Sequence, residues 1–175
     1  RFYYQLLQQP EGDAVRAYLA KRKITRQTAV RFGMGASPNA WDALLTAMTR
    51  RGYTKKELLD AGLVVQNRNG GLYDKFRNRL MLPVIDTRGD VVAFGSRVLD
   101  GSEPKYMNSS ETPVYSKRRV LYGLNLAKKT KRPNIILCEG NLDIVTLHQA
   151  GFDNAVASMG TALTVEQIRP LSRFT

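Results

Sequence analysis

Two residue types that build metal sites and cross-links are almost missing from this chain. It has one cysteine, Cys138, and one histidine, His148, in 175 residues. A single cysteine excludes an internal disulfide and a cysteine-based zinc cluster within these residues. A single histidine leaves no material for a histidine-rich metal site, and a reducing, cytoplasmic setting is the natural reading. Long apolar runs are missing too: nothing approaches the roughly 20 consecutive apolar residues that cross a bilayer. The opening segment RFYYQLLQQPEGD has neither the layout nor the cleavage site of a signal peptide, and no initiating Met, which suggests a piece of a longer chain. Internal repeats and low-complexity tracts are absent. What remains, 43% hydrophobic and 24% charged, is the composition of a folded globular protein.

Negative charge is also scarce. The 27 Lys and Arg outnumber 15 Asp and Glu, for a net charge of +12. Such a balance points to polyanions, either nucleic acid or an anionic membrane surface. A membrane fits less well, because the cations are not gathered on one amphipathic helix with an apolar face. A solvated basic face of an RNA-associated protein would carry the same charge. The charge is segregated, however: residues 1–132 hold 25 cations and 11 acids, residues 133–175 hold 2 and 4. A basic body beside a mildly acidic tail fits a backbone-binding surface next to a cation site.

The first 62 residues read as helices joined by short turns. Asp13 can cap a helix through Lys21, and Thr25 can start the next. Trp41, Leu44, Leu45 and Met48, preceded by Asn39, have the i, i+3, i+4, i+7 spacing of one core-facing helix side. Thr54 and Glu57 form a capping box. From Leu63 the period changes: residues 63–66 and 72–74 flank an Asn-Gly turn and read as a hairpin. Arg79–Asp86 and Val91–Leu99 read as two further strands, with Pro83 at an edge or a bulge. Residues 100–120 look irregular, and a long loop inside a compact domain is often functional. Lys128–Arg132, ending in Pro133, marks the best boundary. Beyond it come a buried-type strand at residues 134–138, a helix to Ala150, a strand at 155–158, a turn at Gly160-Thr161 and a second capping box at Thr164–Gln167. Pro170 should kink or end that last helix. Strand, helix, strand, helix is half of a parallel α/β sheet.

Glu139-Gly140-Asn141-Leu142-Asp143 is the most chemical feature. Glu139 follows an apolar strand directly, and ligands collect at the carboxyl ends of parallel strands. Asp143 lies one helical turn later, so two carboxylates can act at one edge. Oxygen ligands of this kind suit Mg²⁺. A helix-start acid favoured by the dipole would look the same in isolation. Arg77 and Arg79 alternate along a strand, so both guanidinium groups can face one way and grip phosphates. Lys105 and Tyr106 lie in the long loop, where a cation can meet a phosphate while a ring stacks on a base. Trp41, Val84, Val92 and Phe94 read as core, His148 as a surface or packing residue, and Cys138 as a buried strand residue.

Several ordered segments together resemble the bacterial DnaG-type DNA primases. Residues 139–143 and 155–161 are similar to the EGYMD-like and ASLGT-like segments of the Toprim fold. Residues 73–84 resemble the YDRFRNRIMFPI segment, Phe94-Gly95-Ser96-Arg97 the FGGR segment, and residues 104–112 the PKYLNSPET segment. Ser116-Lys117 and Leu121-Tyr122-Gly123 match a basic loop and LYG. The resemblance implies an α+β basic subdomain over residues 1–132 that binds template. It implies a truncated α/β Toprim subdomain over 133–175, whose downstream Asp-x-Asp segment lies past the last residue.

By resemblance the full-length protein is a DNA-dependent RNA polymerase, a nucleotidyltransferase that makes short primers for replication. Its cofactor would be Mg²⁺ or Mn²⁺, with zinc only in a separate amino-terminal module. Its partners would be single-stranded DNA template, nucleoside triphosphates, RNA primer and, through a carboxyl-terminal domain, the replicative helicase. It would work in the cytoplasm at the replication fork. Glu139 would be a metal ligand and catalytic group supported by Asp143. Arg77, Asn78, Arg79, Lys105, Tyr106, Asn108 and Lys117 would bind nucleic acid or nucleotide, and residues 1–175 alone would bind DNA without making primers. Two departures stand out: EGYMD reads EGNLD here, losing an aromatic, and FGGR reads FGSR. Toprim topoisomerase or nuclease chemistry, and a non-catalytic nucleic-acid-binding module, are the alternative readings.

Overall fold

A computed structural model describes residues 1–160 and 162–172. The turn expected at Gly160-Thr161 falls partly outside these residues. Short helices open the chain: α1 (Phe2–Leu6), α2 (Asp13–Lys21) and α3 (Arg26–Arg31). Thr25 caps α3, its hydroxyl accepting from the Thr28 N–H. For α2, Asp13 is the first helical residue rather than the cap; Gly12 holds that place. A strand, β1 (Gly35–Ser37), interrupts the region that reads as wholly helical in sequence. Helices α4 (Ala43–Thr49) and α5 (Lys55–Asp60) follow, and α5 has the full Thr54–Glu57 capping box.

The hairpin forms as its turn residues require, with β2 (Val64–Gln66) antiparallel to β3 (Leu72–Asp74). The larger sheet has the order β1, β4 (Arg79–Ile85), β5 (Val91–Val98), β6 (Tyr106–Asn108). Strand β1 pairs only with Arg79–Met81, so Pro83 sits where that side of β4 is free, and the β4–β5 ladder slips between Val84 and Ile85. Strand β6 corrects the irregular reading of residues 100–120. Its three residues pair with Gly95–Arg97. Tyr106-Met107-Asn108 is too short a run to announce a strand; the open edge of β5 supplies the partner.

The sheet is covered on both faces. Leu80, Leu82, Val84 and Ala93 point into a core shared with Val15, Leu19, Ala29 and Phe32 on one side of the chain and Ile144, Val145 and Ala155 on the other. That core therefore crosses position 132. Met81 and Phe94 point the opposite way, into a second cluster with Tyr3, Leu44, Leu58 and Phe76. Period-two alternation along β4 and β5 divides the residues between the two faces.

The last part is a β-α-β unit. Strands β7 (Ile136–Cys138) and β8 (Ala155–Ala157) are parallel, and α7 (Asn141–Gln149) connects them. Strand β8 is fully buried, but Leu137 of β7 is 44% exposed, so β7 is only half the buried strand its apolar run suggests. A short helix, α6 (Leu124–Ala127), follows the Leu-Tyr-Gly segment, whose Tyr122 bonds both ways with Ala157 and ties the basic body to β8. His148 is buried, with Nε2 donating to the Ala155 carbonyl at 2.9 Å and its ring edge-on to Phe32. The final helix, α8 (Val165–Leu171), has the Thr164–Gln167 capping box and stops one residue after Pro170. Among the described residues no helix is long and apolar enough to cross a membrane.

Candidate nucleic-acid and metal site

Glu139 leaves the carboxyl end of β7, and Gly140 caps α7, with Asp143 in its first turn. Both carboxylates are exposed. The Asp143 carboxylate folds back over the turn: a Cβ on Gly140 would lie 2.6 Å from Asp143 Oδ2 and would push that carboxylate aside. Among the described residues, the ion-paired acids are Asp13, Asp60, Asp86, Asp90, Asp153 and Glu166, and neither carboxylate of this turn is one of them. Burial, and then the Asp143 charge, pushes the neighbouring Cys138 thiol up. The turn thus offers oxygen donors and a protonated sulfur, a set that suits a hard divalent cation. Among the described residues no group of three or more His, Cys, Asp or Glu gathers, so the turn supplies two carboxylates and no complete cage.

The acid turn abuts the large sheet. An added Cβ on Gly95 would come within 2.5 Å of Asn141 Nδ2 and 3.1 Å of Asn108 Oδ1, so the start of α7 closes directly onto β5. Asn108 also donates to the Met159 carbonyl at 3.4 Å, reaching the loop after β8. The register places Gly95 opposite Asn108 and Arg97 opposite Tyr106, all on the sheet face toward α7. Arg97 lies 4.6 Å from the Tyr18 ring centroid, bonds the Tyr18 hydroxyl and lies 5.6 Å from the Tyr106 ring. Its Nε is buried and has no hydrogen-bond partner among the described residues. Tyr106 is 53% exposed, which sets it over the surface rather than beneath the loop, with Lys105 Nζ 5.9 Å from its ring.

Arg77 and Arg79 do not share a face. Strand β4 begins at Arg79, and Asn78 has a left-handed backbone with φ of 52°, which breaks the alternation between them. Asn78 Nδ2 donates to Asp100 at 2.7 Å. Arg79 is 5% exposed, donates to the Pro104 carbonyl at 2.9 Å and lies on the sheet face away from α7. Burial, then the neighbouring Arg77 charge, lowers its pKa. Arg77 instead stacks 4.2 Å from the Trp41 ring centroid and 5.1 Å from that of Tyr73.

Trp41 is 66% exposed, against its reading as core. Its spacing with Leu44 and Leu45 misleads because the helix starts only at Ala43, leaving Trp41 outside the helical register. Asp74 caps that helix from 30 residues away: its buried carboxylate accepts from the Leu44 N–H at 2.7 Å and the Leu45 N–H at 2.9 Å, and its own N–H donates to the Trp41 carbonyl. Lys75, half-buried, donates to Ser110 at 2.9 Å; burial, then the charge of Lys117, pulls its pKa down. The Glu111 carboxylate, next to Ser110 in the chain, accepts from the Lys117 N–H at 2.7 Å, so an acid lies beside these two cations. Trp41, Tyr73, Asp74, Lys75 and Arg97 were not read as site residues from sequence. The motif Tyr73-Asp74-Lys75-Phe76-Arg77 held the available signal for three of them; Trp41 had none.

Comparison with known proteins follows the same two parts. The family described as "DNA primase catalytic core, N-terminal domain" matches residues 2–128, and the Toprim domain matches residues 134–175. The chain belongs to the DnaG-type DNA primase family. A DNA primase of Clostridium acetobutylicum is 45% identical over 175 residues, covering 99% of this chain and 29% of that protein. The Escherichia coli primase catalytic core superposes with a TM-score of 0.94 at 43% identity, over 99% of this chain and 56% of that one. A DnaG primase catalytic domain solved bound to single-stranded DNA gives a TM-score of 0.92 at 42% identity, over 99% and 57%. The chain therefore spans under a third of the curated relative's length. The relatives carry the name DNA primase, which does not favour the topoisomerase and nuclease readings.

Proposed function

We propose that this chain is the template-facing part of a primase, a DNA-dependent RNA polymerase that makes short primers on single-stranded DNA. One observation carries the reading: the Glu139–Asp143 turn lies against the sheet face that presents Arg97, Tyr106 and Asn108. Residues 1–132 act as the basic template-binding subdomain, and residues 133–175 carry the acid-bearing Toprim unit. The similarity to a DnaG catalytic domain bound to single-stranded DNA supports template binding. Nucleoside triphosphates and the primer are the remaining partners, with the replicative helicase engaged elsewhere in the full-length protein, in the cytoplasm at the fork.

Glu139 and Asp143 would hold Mg²⁺ or Mn²⁺, whose chemistry is to neutralise the attacking and leaving oxygens of a phosphoryl displacement. In that displacement the ribose 3′-oxygen bonds to the α-phosphorus and the bond to pyrophosphate breaks. Glu139 accepts the hydroxyl proton or serves purely as a ligand. Arg97 and Lys105 hold phosphates along this sheet face while Tyr106 stacks on a base. Arg77, Lys75 and Lys117 grip backbone phosphates, and Trp41 offers a second stacking surface. Arg79 and Asn78 contribute by shaping the loop that presents Arg77.

Glu139→Gln in the full-length protein tests the reading. Ribonucleotide incorporation should fall about 10²–10⁴-fold while single-stranded DNA binding persists. Retained incorporation would leave a non-catalytic binding module as the better reading. For residues 1–175 alone the expected behaviour is DNA binding without primer synthesis, and templated RNA synthesis by this chain unaided would contradict that.

A further inference from the structure

Gln167 is a polar side chain with no exposure at all, in the first turn of α8. A glutamine at this position commonly serves its own helix, and Gln167 does: its Oε1 accepts from the Thr164 N–H at 3.1 Å. Its Nε2 does something else. It donates to the carbonyls of Lys117 at 2.7 Å and Val120 at 3.1 Å, in a loop 50 and 47 residues earlier. Thr164 adds a further tie from its hydroxyl to the Arg118 carbonyl at 2.6 Å. Both amide protons and the amide oxygen are thereby committed. The loop so held carries three successive cations, Lys117, Arg118 and Arg119, whose repulsion favours spreading apart. Arg118 lies 3.8 Å from Glu166, and the Glu111 carboxylate accepts from the Lys117 N–H at 2.7 Å. The charge of Lys117 bears on Lys75, the residue after β3 in the same 1–132 subdomain.

We propose that Gln167 is a positioning residue for phosphate binding: it pins the 117–120 backbone so that the Lys117 side chain is presented from a fixed loop. A cation fixed in advance needs no ordering when the ligand arrives. The inference rests on the reading of Lys117 as a phosphate contact.

The test is a salt series of oligo(dT) binding by the 175-residue chain, followed by fluorescence anisotropy, with thermal melts in parallel. Gln167→Glu keeps an acceptor for the Thr164 N–H but faces both loop carbonyls with an oxygen. It should weaken binding about 3- to 10-fold at low salt and lower the salt slope by about 0.7–1. Lys117→Ala should do the same, and the double variant should bind no more weakly than Lys117→Ala. Wild-type binding by Gln167→Glu beside a weakened Lys117→Ala overturns the inference alone. A double variant that loses the product of both factors also overturns it, because Gln167 would then act elsewhere. Wild-type binding by Lys117→Ala removes the phosphate reading of Lys117, and the inference with it. Should Gln167→Glu not fold, Gln167→Met, close in volume and without donors, is read in the same way.

Discussion

The acid turn and the cation patch present charge in opposite ways. Glu139 and Asp143 stand exposed and unpaired at a helix start, where water and the helix dipole stabilise them at little cost. Arg77 is braced: aromatic rings on its face, a carbonyl on its edge, and beneath it a buried carboxylate that organises the next helix. The difference follows from the partners each would meet. A small cation brings its own coordination preferences and draws free carboxylates to itself, whereas a phosphodiester is flexible and is recognised best by a guanidinium whose plane is already set.

The strongest way to break this contrast is to remove the brace. Asp74→Ala takes away two charge-assisted bonds to backbone N–H groups and should cost about 3 kcal/mol in urea unfolding, with loss of DNA affinity as Trp41 and Arg77 loosen. An unchanged midpoint would mean that Asp74 caps nothing of consequence. Next is the split between neighbours. Arg79→Ala should cost about 2 kcal/mol of stability, since it leaves the Pro104 carbonyl without its donor, while Arg77→Ala should spare stability and weaken DNA binding. Equal effects of the two on both readouts would restore the picture of one shared basic face. Smaller again is Trp41→Ala, expected to weaken oligo(dT) binding by about 1–2 kcal/mol with the fold intact, as for a lost stacking surface. A melting temperature that drops with no binding change would return Trp41 to the core.

The smallest effect belongs to the joint behind the acid turn. Burial holds the His148 pKa below its ordinary 6.5, with the Ala155 carbonyl and Asp153 pulling it up and Arg31 adding to the depression. Its Nε2 carries the proton donated to Ala155, and protonating the buried Nδ1 would create a donor with no partner. A histidine depressed in the folded state contributes stability that is present above the unfolded pKa. That stability is lost as pH falls through 6.5, at no more than about 1.4 kcal/mol per pH unit. Thermal melts should show that loss, and His148→Gln should flatten it.

Much of the fold was legible because its signals are local. The capping boxes at Thr54 and Thr164, the Asn-Gly hairpin and the strand–Glu139–helix turn each depend on a few adjacent residues and appear where their chemistry places them. The acid turn needs only an apolar strand, a glycine and a helix start. Strand β6 and strand β1 were not legible, because Tyr106-Met107-Asn108 and Gly35-Ala36-Ser37 carry neither an apolar run nor a hairpin turn signal, and each forms through the edge it pairs with. Trp41 was misread for a related reason. Its spacing matched a helix face, but the helix boundary is set by Asp74, 33 residues later in sequence than the ring it exposes.

By itself the sequence determined most element types, the charge segregation and the placing of two acids at a helix start, since propensity, capping and net charge are properties of residues and near neighbours. Tertiary structure alone decided which cations are buried. Arg77 and Arg79 are the same residue type two positions apart, yet one is half-buried and stacked on aromatic rings and the other is buried under the Pro104 loop. The closure of Asn141 onto Gly95 and the reach of Gln167 to the Lys117 loop are contacts between segments 46 and 50 residues apart. No local rule encodes such approaches, because they are set by how two faces of a sheet are covered and how much space a glycine leaves.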